Sequence, residues 1–325
     1  MDLAPLKRLV KHGFARLGLD VRRLRASPRQ VSSFPPRERR CLERFPQLAL
    51  RVLQYGDADL AARCRAHAFV ARWLETAEAA AAVRPTSASA SPTPRRIWIY
   101  WAQGFKHAPA VVQACRMQWQ AISPDIPVVE IDDATLAEHV DVPAAVRHAL
   151  AANPTHFSDV VRCLLLRDQG GIWADATVWN ARPLSSLLEQ TPARFFAYSR
   201  TDHFLLSSWF LAAGPGTVIP VLMSGALVRW WTDHDELPAY YWLHYLFEAL
   251  VHLHAGFREE WAARYVQSSH EAHTLHTRLH DPFDPLIFGE ILHGTHVQKL
   301  TYKTRPAAPG TYLDRLVHPT DTGRA

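Results

Sequence analysis

The sequence lacks the short motifs that hold the common phosphate-bearing cofactors. It contains neither GxGxxG nor GxxxxGK[ST], the glycine-rich loops that cradle dinucleotides and nucleoside triphosphates. It has no GxSxG nucleophile elbow, and HEAH at 270–273 is one residue too short for the HExxH zinc helix. Eleven of the 18 histidines lie at or after His234, but no ligand spacing recurs among them. The usual Rossmann, P-loop, serine-hydrolase and zincin sites are therefore excluded.

Cysteine is also scarce, with four residues and no CxxC pair. Cysteines this sparse are typical of reduced thiols in a cytosolic protein rather than of a disulfide framework. The first 19 residues contain no uninterrupted apolar stretch, so they do not resemble a signal peptide. These features predict a cytoplasmic protein. A peripheral association with the inner face of the membrane is left open.

Charge is unevenly distributed along the chain. Residues 1–96 hold 19 Lys and Arg against 8 Asp and Glu, whereas residues 97–325 hold 17 against 23. A basic front region on a mildly acidic body suggests an anionic partner. Residues 6–17 have the spacing of a basic amphipathic helix, so residues 1–25 could contact an anionic membrane surface. The same helix could equally pack on its own domain. No nucleic-acid motif is present, and no nucleic-acid partner is expected.

Long uncharged stretches are limited to residues 204–228. Gly214-Pro215-Gly216 and Pro220 interrupt this stretch. Such interruptions favour a strand, a turn and a helix in a soluble core over a membrane span.

The pattern divides the chain into three parts. Residues 1–83 read as a basic helical region, residues 84–95 as a Pro/Ser-rich linker, and residues 96–325 as the main domain. After the linker, apolar runs typical of strands alternate with helical patterns. This alternation predicts an α/β fold with a mixed, mostly parallel sheet flanked by helices, and ligands at the carboxyl ends of its strands.

The stretch FSDVVRCLLLRDQGGIWADATVW, residues 157–179, carries the chemistry. Ser158 is a plausible N-cap of its helix, and glycine closes it. Asp159 and Arg162 share one helix face, so they could pair with each other or hold the hydroxyls of a sugar. Asp175 ends a buried strand, where it could be a turn-forming residue or a ligand in a cleft.

Four blocks of the sequence together resemble a known family: IWIYWAQGFKHAPAVVQACRMQW, FSDVVRCLLLRDQGGIWADATVW, SSWFLAAG and YYWLHYLFEAL. They resemble the capsular polysaccharide synthesis family of bacterial glycosyltransferases, part of the broader group with a DXD sugar-binding region. The resemblance covers about residues 95–305, with the blocks in the expected order. It implies a GT-A fold, a nucleotide-sugar donor and transfer with retention at the anomeric carbon.

The resemblance also implies roles for particular residues. It places Asp175 at the DXD position and His244 near the catalytic cleft, and both are predicted to be catalytic. The residues predicted to bind the donor are Trp101, Gln103, Gly104, Asp159, Arg162, Gly170, Gly171, Trp209 and Lys299. The second acid of the motif is replaced by Thr177, a weak neutral ligand. The predicted metal ligands are Asp175, Thr177 and His296, with Gln298 standing where the resemblance leads us to expect histidine.

The charge that develops on a nucleoside diphosphate leaving group explains why a metal is expected. A divalent ion held by oxygen ligands could neutralise it, and such ligands suit Mn²⁺ or Mg²⁺. The sequence therefore predicts a hexosyltransferase of surface polysaccharide synthesis that acts on a saccharide or lipid-linked acceptor. The alternative is a non-catalytic relative that binds nucleotide-sugars or carbohydrate. No carboxylate stands out as a nucleophile or base, although Asp202 and Asp233 are nearby acids.

Overall fold

A computed structural model describes residues 33–82, 93–189, 194–200, 202 and 204–318. The predicted helix at 6–17, the predicted membrane contact at 1–25 and most of the predicted linker lie outside the described residues. The strands are β1 (Ile97–Tyr100), β2 (Val128–Ile131), β3 (Gly171–Ala174), β4 (Val178–Asn180), β5 (Phe195–Ser199), β6 (Leu206–Ala213) and β7 (Val297–Lys299).

Five of these strands form one sheet in the order β2-β1-β3-β6-β5. Strand β1 runs parallel to β2 and β3, whereas β6 runs antiparallel to its neighbours β3 and β5. Four of the five strands therefore point the same way. Strands β1 and β3 are buried at every position because helices cover both faces of the sheet. The predicted mixed, mostly parallel α/β sheet is confirmed.

Helices surround the sheet and are numbered in chain order. They are α1 (Pro36–Arg44), α2 (Pro46–Tyr55), α3 (Leu60–Trp73), α4 (Ala77–Ala82), α5 (Ala110–Ile122), α6 (Leu136–His139), α7 (Ala144–Ala149), α8 (Pro154–Asp168), α9 (Ser185–Glu189), α10 (Val218–Asp233), α11 (Trp242–Leu253), α12 (Ala255–Ala263), α13 (Thr274–Arg278), α14 (Pro285–Gly294) and α15 (Tyr312–Val317).

The apolar run of residues 172–179 forms two strands rather than one. Strand β3 belongs to the central sheet, and after a turn β4 pairs antiparallel with β7 in a separate two-stranded ribbon. The ribbon aligns Val178 with Lys299. This pairing brings Lys299 to the carboxyl end of β3, where the site forms.

The helical region before the predicted linker is part of the main core. Phe69 and Trp73 of α3 belong to the same hydrophobic cluster as Trp230 of α10 and Trp242 of α11. The approach is close: a Cβ atom on Gly225 of α10 would lie 2.8 Å from the Trp73 ring. The described helices before residue 83 therefore pack against the α/β body, and the division of the chain at residues 84–95 stays a prediction.

Two of the four cysteines are joined, which corrects the expectation of reduced thiols. Cys41 of α1 and Cys64 of α3 form a disulfide with a Cα–Cα distance of 5.9 Å. Their separation of 23 residues carries no motif, so only the packing of α1 against α3 reveals the pair. Cys115 and Cys163 are free, and burial raises the pKa of each thiol to about 12.

The uncharged stretch at 204–228 contains β6, a turn and the first part of α10, as its interruptions predicted. Within the described ranges, no helix combines the length and the apolar character that crossing a membrane requires.

Candidate functional site

Asp175 lies immediately after β3, at the carboxyl end of the strand. Its backbone N–H donates to the Trp209 carbonyl at 2.9 Å, which extends the ladder between β3 and β6. Its side-chain Oδ1 accepts a hydrogen bond from Trp173 Nε1 at 3.0 Å. The side chain remains 25% exposed, so solvent and ligands can reach it.

Helix α8 delivers the first cation of the site. Arg162 Nη1 donates to the Ser208 carbonyl at 2.6 Å, and its guanidinium lies 5.1 Å from the Trp173 ring centre. Its Nη2 is 3.2 Å from Asp159 Oδ1 and 3.4 Å from Asp175 Oδ1. One guanidinium nitrogen is therefore shared by two carboxylates.

Ser158 supports Arg162 instead of capping the helix. Helix α8 begins at Pro154, after Asn153, so the N-cap prediction for Ser158 is wrong. The Ser158 hydroxyl accepts from Arg162 Nη2 at 3.0 Å and donates to the Thr155 carbonyl at 2.7 Å. A hydroxyl one turn before the arginine thus orients its guanidinium towards the carboxylates.

Strand β7 delivers the second cation. Lys299 Nζ donates to Asp175 Oδ2 at 3.1 Å and to Thr177 Oγ1 at 2.5 Å. The Lys299 side chain is 20% exposed, whereas that of Arg162 is 4% exposed. The site therefore has one fixed cation and one cation that borders the solvent.

The charges in the site stabilise one another. Burial would raise the pKa of the Asp175 carboxyl, but Lys299 and Arg162 outweigh burial and hold the pKa below its usual value. Burial would lower the pKa of the Arg162 guanidinium, but Asp175 and Asp159 outweigh that effect and raise it. Both groups are therefore charged at neutral pH.

Two histidines lie on the α8 side of the site. His156 Nδ1 is 3.6 Å from Asp159 Oδ2, and its ring centre is 5.7 Å from that of Tyr240. Burial lowers the pKa of His244 to about 4, although Asp159 opposes the shift, so His244 is neutral at neutral pH. His156 was not predicted from the sequence, although its position one helical turn before Asp159 could have indicated it.

The carboxyl ends of β1 and β2 form the next part of the edge. Trp101 follows β1 and meets the ring of Tyr302 edge-on at 5.1 Å. Gly104 closes a turn with φ +77°, and a Cβ atom there would lie 3.2 Å from Asp132 Oδ2. Gln103 is exposed on the same turn. Asp132 was missed because it looks like an ordinary turn residue, since its Oδ1 accepts from Thr135 N.

Three residues predicted to bind the donor are not brought to Asp175. Gly170 and Gly171 lie at the amino end of β3, where added Cβ atoms would meet the Ala213 carbonyl at 2.8 Å and Trp98 Nε1 at 2.9 Å. These glycines permit close packing between α8 and the sheet. Trp209 stacks on Tyr198 at 5.1 Å in the core and reaches the site through its carbonyl group alone.

His296 is also not brought to Asp175. It lies at the opposite end of the ribbon, where its Nε2 and the Ser186 hydroxyl share a hydrogen bond of 2.9 Å. Three residues of strand separate it from Lys299, about 10 Å along the chain. Burial lowers the pKa of His296 to about 4. Gln298 is fully buried and holds Leu275 N with its side chain, so it is a structural residue.

The predicted metal ligands do not fit a protein-held divalent cation. Lys299 already bonds Asp175 and Thr177, and Arg162 lies where a cation between Asp159 and Asp175 would sit. Within the described ranges, no cluster of three histidine, cysteine or acidic side chains could hold a metal ion. The two positive charges of Arg162 and Lys299 would repel a divalent ion from this donor set.

A family model described as "Capsular polysaccharide synthesis protein" matches residues 66–316, which is most of the chain. This chain belongs to that family. The match begins within α3 and covers every residue of the site at the edge of the sheet. Family membership associates the chain with the biosynthesis of a surface polysaccharide. Comparison with curated proteins and with solved structures found no match.

Proposed function

We propose that the chain transfers a sugar from a nucleoside diphosphate sugar to a saccharide or lipid-linked acceptor during surface polysaccharide synthesis. The observation that carries the proposal is the arrangement at the carboxyl edge of the sheet. There, Asp175 is held between Arg162 and Lys299 and remains open to solvent. Sheets of this type bind ligands at this edge, and family membership narrows the reaction to polysaccharide synthesis.

In this proposal, Lys299 and Arg162 supply the positive charge for the leaving group. Breakage of the glycosidic bond leaves negative charge on the diphosphate, and preorganised cations stabilise that charge as it develops. Lys299 borders the solvent, so its ammonium can contact a phosphate while Asp175 holds it in place. The oxygens of Asp159 and Asp175 that face the cleft can accept hydrogen bonds from sugar hydroxyls.

The carboxyl ends of β1 and β2 are suited to the nucleoside. The Trp101 ring offers a face for a base, and the exposed Gln103 offers amide groups. Because Gly104 has no side chain, its turn can lie close to the Asp132 carboxylate. Asp132 can accept hydrogen bonds from ribose hydroxyls. These residues extend the proposed donor site from Asp175 along the edge of the sheet.

His244 serves in this proposal as a hydrogen-bonding group near the acceptor. A histidine with a pKa of about 4 is neutral and weakly basic at neutral pH, so it can orient a hydroxyl but is a poor proton acceptor. We include retention at the anomeric carbon in the proposal on the basis of the resemblance. Asp202 and Asp233 are not assigned a role, since each is bonded to a neighbouring arginine.

The test is to incubate the purified protein with UDP- and GDP-sugars and to follow the release of sugar and nucleoside diphosphate. We expect turnover by the wild type, and a loss of turnover in Asp175→Asn. The control is Arg278→Gln on α13, where the side chain is 43% exposed. Binding of the nucleotide-sugars without turnover over a wide panel of acceptors would instead favour the non-catalytic relative. Unchanged turnover in Asp175→Asn would contradict the proposed site.

A further inference from the structure

The helices α1 and α3 form a basic groove on the side of the molecule that carries the disulfide. Helix α1 contributes Arg37, Arg40 and Arg44, and helix α3 contributes Arg65 and Arg72. These spacings of three, four and seven residues place each set on one helix face. The cleft between them has a volume of about 430 Å³ and is also lined by the bonded Cys41 and Cys64. We call it the arginine groove.

The charge of the arginine groove is largely uncompensated. Among the described residues, Arg37, Arg40 and Arg72 form no ion pair, whereas Arg65 pairs with Glu236. Glu38 is the one acid that lines the described cleft. Residues 1–32, which precede α1 in the sequence, carry eight Lys and Arg against two Asp, so their composition is basic as well. The groove therefore calls for an anionic ligand from outside the chain.

The geometry fits an extended anion. Seven residues of α-helix span about 10 Å, so each arginine row can meet charges spread over that length. Guanidinium groups form paired hydrogen bonds with carboxylate and phosphate oxygens. Two such rows facing each other across a cleft suit a linear ligand with repeated charges better than they suit a single ion or a flat surface.

The end of α10 contacts both the groove and the neighbourhood of the proposed active site. The Trp230 ring lies 4.8 Å from the Arg65 guanidinium in the groove. The next residue, Trp231, lies 6.4 Å from the ring of His156, which is beside Asp159. Trp230 and Trp231 are buried, so they join the two places through the core. Tyr240 is 63% exposed and its ring lies 5.7 Å from that of His156, so it offers an aromatic face to a ligand that leaves the site.

We propose that the arginine groove binds an acidic saccharide chain, with carboxylate or phosphate groups, that serves as acceptor or product of the transfer. This inference rests on the proposed function, because family membership and the nearby site identify the ligand as saccharide. The growing chain passes from the site near His156, over Tyr240, into the groove. The arginines hold its charged groups while its end is extended.

The direct test measures binding of hyaluronan oligosaccharides and poly(glycerol phosphate), with neutral dextran as the uncharged probe. We expect binding of an acidic probe that weakens with salt, and no binding of dextran. The double variant Arg40→Gln/Arg72→Gln should weaken binding by about tenfold, since two exposed charge pairs of up to about 1 kcal/mol each can together supply the 1.4 kcal/mol that a tenfold change requires. The control Arg39→Gln/Arg278→Gln has the same net charge, and Arg39 lies on the opposite face of α1. Its affinity should stay within about twofold of the wild type.

Three results would overturn the inference: no binding of either acidic probe, equal losses in the two double variants, or arginine-dependent binding of anionic vesicles or DNA in place of the saccharides. Binding of UDP and GDP to the same proteins separates this inference from the proposed function. If the acidic saccharides do not bind but UDP or GDP does, the inference about the arginine groove is wrong and the proposed function is unaffected. If the wild type binds neither UDP nor GDP, the proposed donor site is wrong.

Discussion

Two carboxylates in this molecule are each held between two cations, but in different surroundings. The Glu248 carboxylate of α11 accepts hydrogen bonds from Arg51 Nε and Arg63 Nη2, each at 2.8 Å. All three side chains are at most 4% exposed. Asp175 has contacts of 3.4 Å to Arg162 and 3.1 Å to Lys299, and a quarter of its side chain is exposed. The same arrangement of charges is therefore buried at Glu248 and accessible to solvent at Asp175.

The difference separates a structural cluster from a binding site. Burial would raise the pKa of Glu248, but Arg63 and Arg51 lower it to about 2, and together these residues join α2 and α3 to α11. Removing one partner there leaves buried charge without compensation. At Asp175 the contacts are longer and water has access, so the cations can exchange partners with a ligand.

Glu248→Gln should have the largest effect on stability. It leaves two buried arginines uncompensated, and we expect the free energy of unfolding to fall by about 3–5 kcal/mol. Asp175→Asn should lower it by about 1 kcal/mol or less, because solvent can screen the remaining cations. Urea unfolding measures both, with the exposed Glu259→Gln as control. Equal losses of unfolding free energy in Glu248→Gln and Asp175→Asn would contradict the distinction between a structural cluster and a binding site.

The effect of Glu248 on stability should also depend on pH. Its folded pKa lies below its unfolded value of 4.5, so its contribution is complete above pH 4.5 and is lost as pH falls towards 2. The difference between wild type and Glu248→Gln should therefore persist at pH 7 and shrink below pH 4.5. A difference that grows on acidification would show that this carboxylate is not stabilised by the arginines.

Lys299→Met should affect turnover strongly and stability little, the opposite of what we expect for Glu248→Gln. We expect turnover to fall by about 10²–10³-fold, the usual cost of removing one group that stabilises developing charge. Stability should change by no more than about 1 kcal/mol, since Lys299 borders the solvent. Steady-state kinetics and urea unfolding on the same preparation measure both. A large loss of stability with unchanged turnover would make Lys299 a structural residue like Arg63.

The disulfide should contribute a moderate amount to the helical layer. Cys41 and Cys64 close a loop of 23 residues, which corresponds to about 3 kcal/mol in the chain-entropy model. Cys41→Ser should lower the free energy of unfolding by that amount, and reductant should have the same effect on the wild type alone. Alkylation of unreduced protein should modify two cysteines after unfolding. Modification of all four would show that the bond is absent.

The pair of histidines beside Glu248 should make stability sensitive to mild acidification. His67 Nε2 and His252 Nδ1 share a buried hydrogen bond of 2.9 Å. Burial lowers the pKa of both side chains, so both are neutral in the folded protein. Because the unfolded chain binds protons below pH 6.5, stability should fall as pH drops from there, by up to about 1.4 kcal/mol per pH unit for each histidine. His252→Leu should reduce this slope, whereas an unchanged slope would exclude the pair as its source.

Much of the sheet could be predicted because its signals are local. Short apolar runs alternated with helical patterns, and Asp175 followed such a run, so its place at a strand end could be expected. The turn at Gly214-Pro215-Gly216 likewise separated β6 from α10, and Pro220 lies in the first turn of α10. Each of these predictions needed a window of fewer than 20 residues.

Features that depend on distant contacts could not be predicted. The Lys299–Asp175 pair joins residues 124 positions apart, and no pattern near Lys299 indicates its partner. The roles of His296 and Gln298 were misleading because one position along β7 changes which face a side chain occupies. The buried Arg51 and Arg63 looked like part of a solvated basic region, since burial of arginine depends on the distant Glu248.

The disulfide also affects the predicted location. A bond such as Cys41–Cys64 is rare in the cytosol of mesophiles. The cytoplasmic location therefore stays a prediction, and so does the peripheral association with a membrane.

The most direct measurement is the binding of UDP and GDP to the wild type and Lys299→Met by calorimetry, in EDTA and in Mn²⁺. We expect the wild type to bind at least one nucleotide in EDTA, because Lys299 and Arg162 provide the positive charge. Lys299→Met should lose that binding in both solutions. Binding that requires Mn²⁺ and survives Lys299→Met would contradict the central claim.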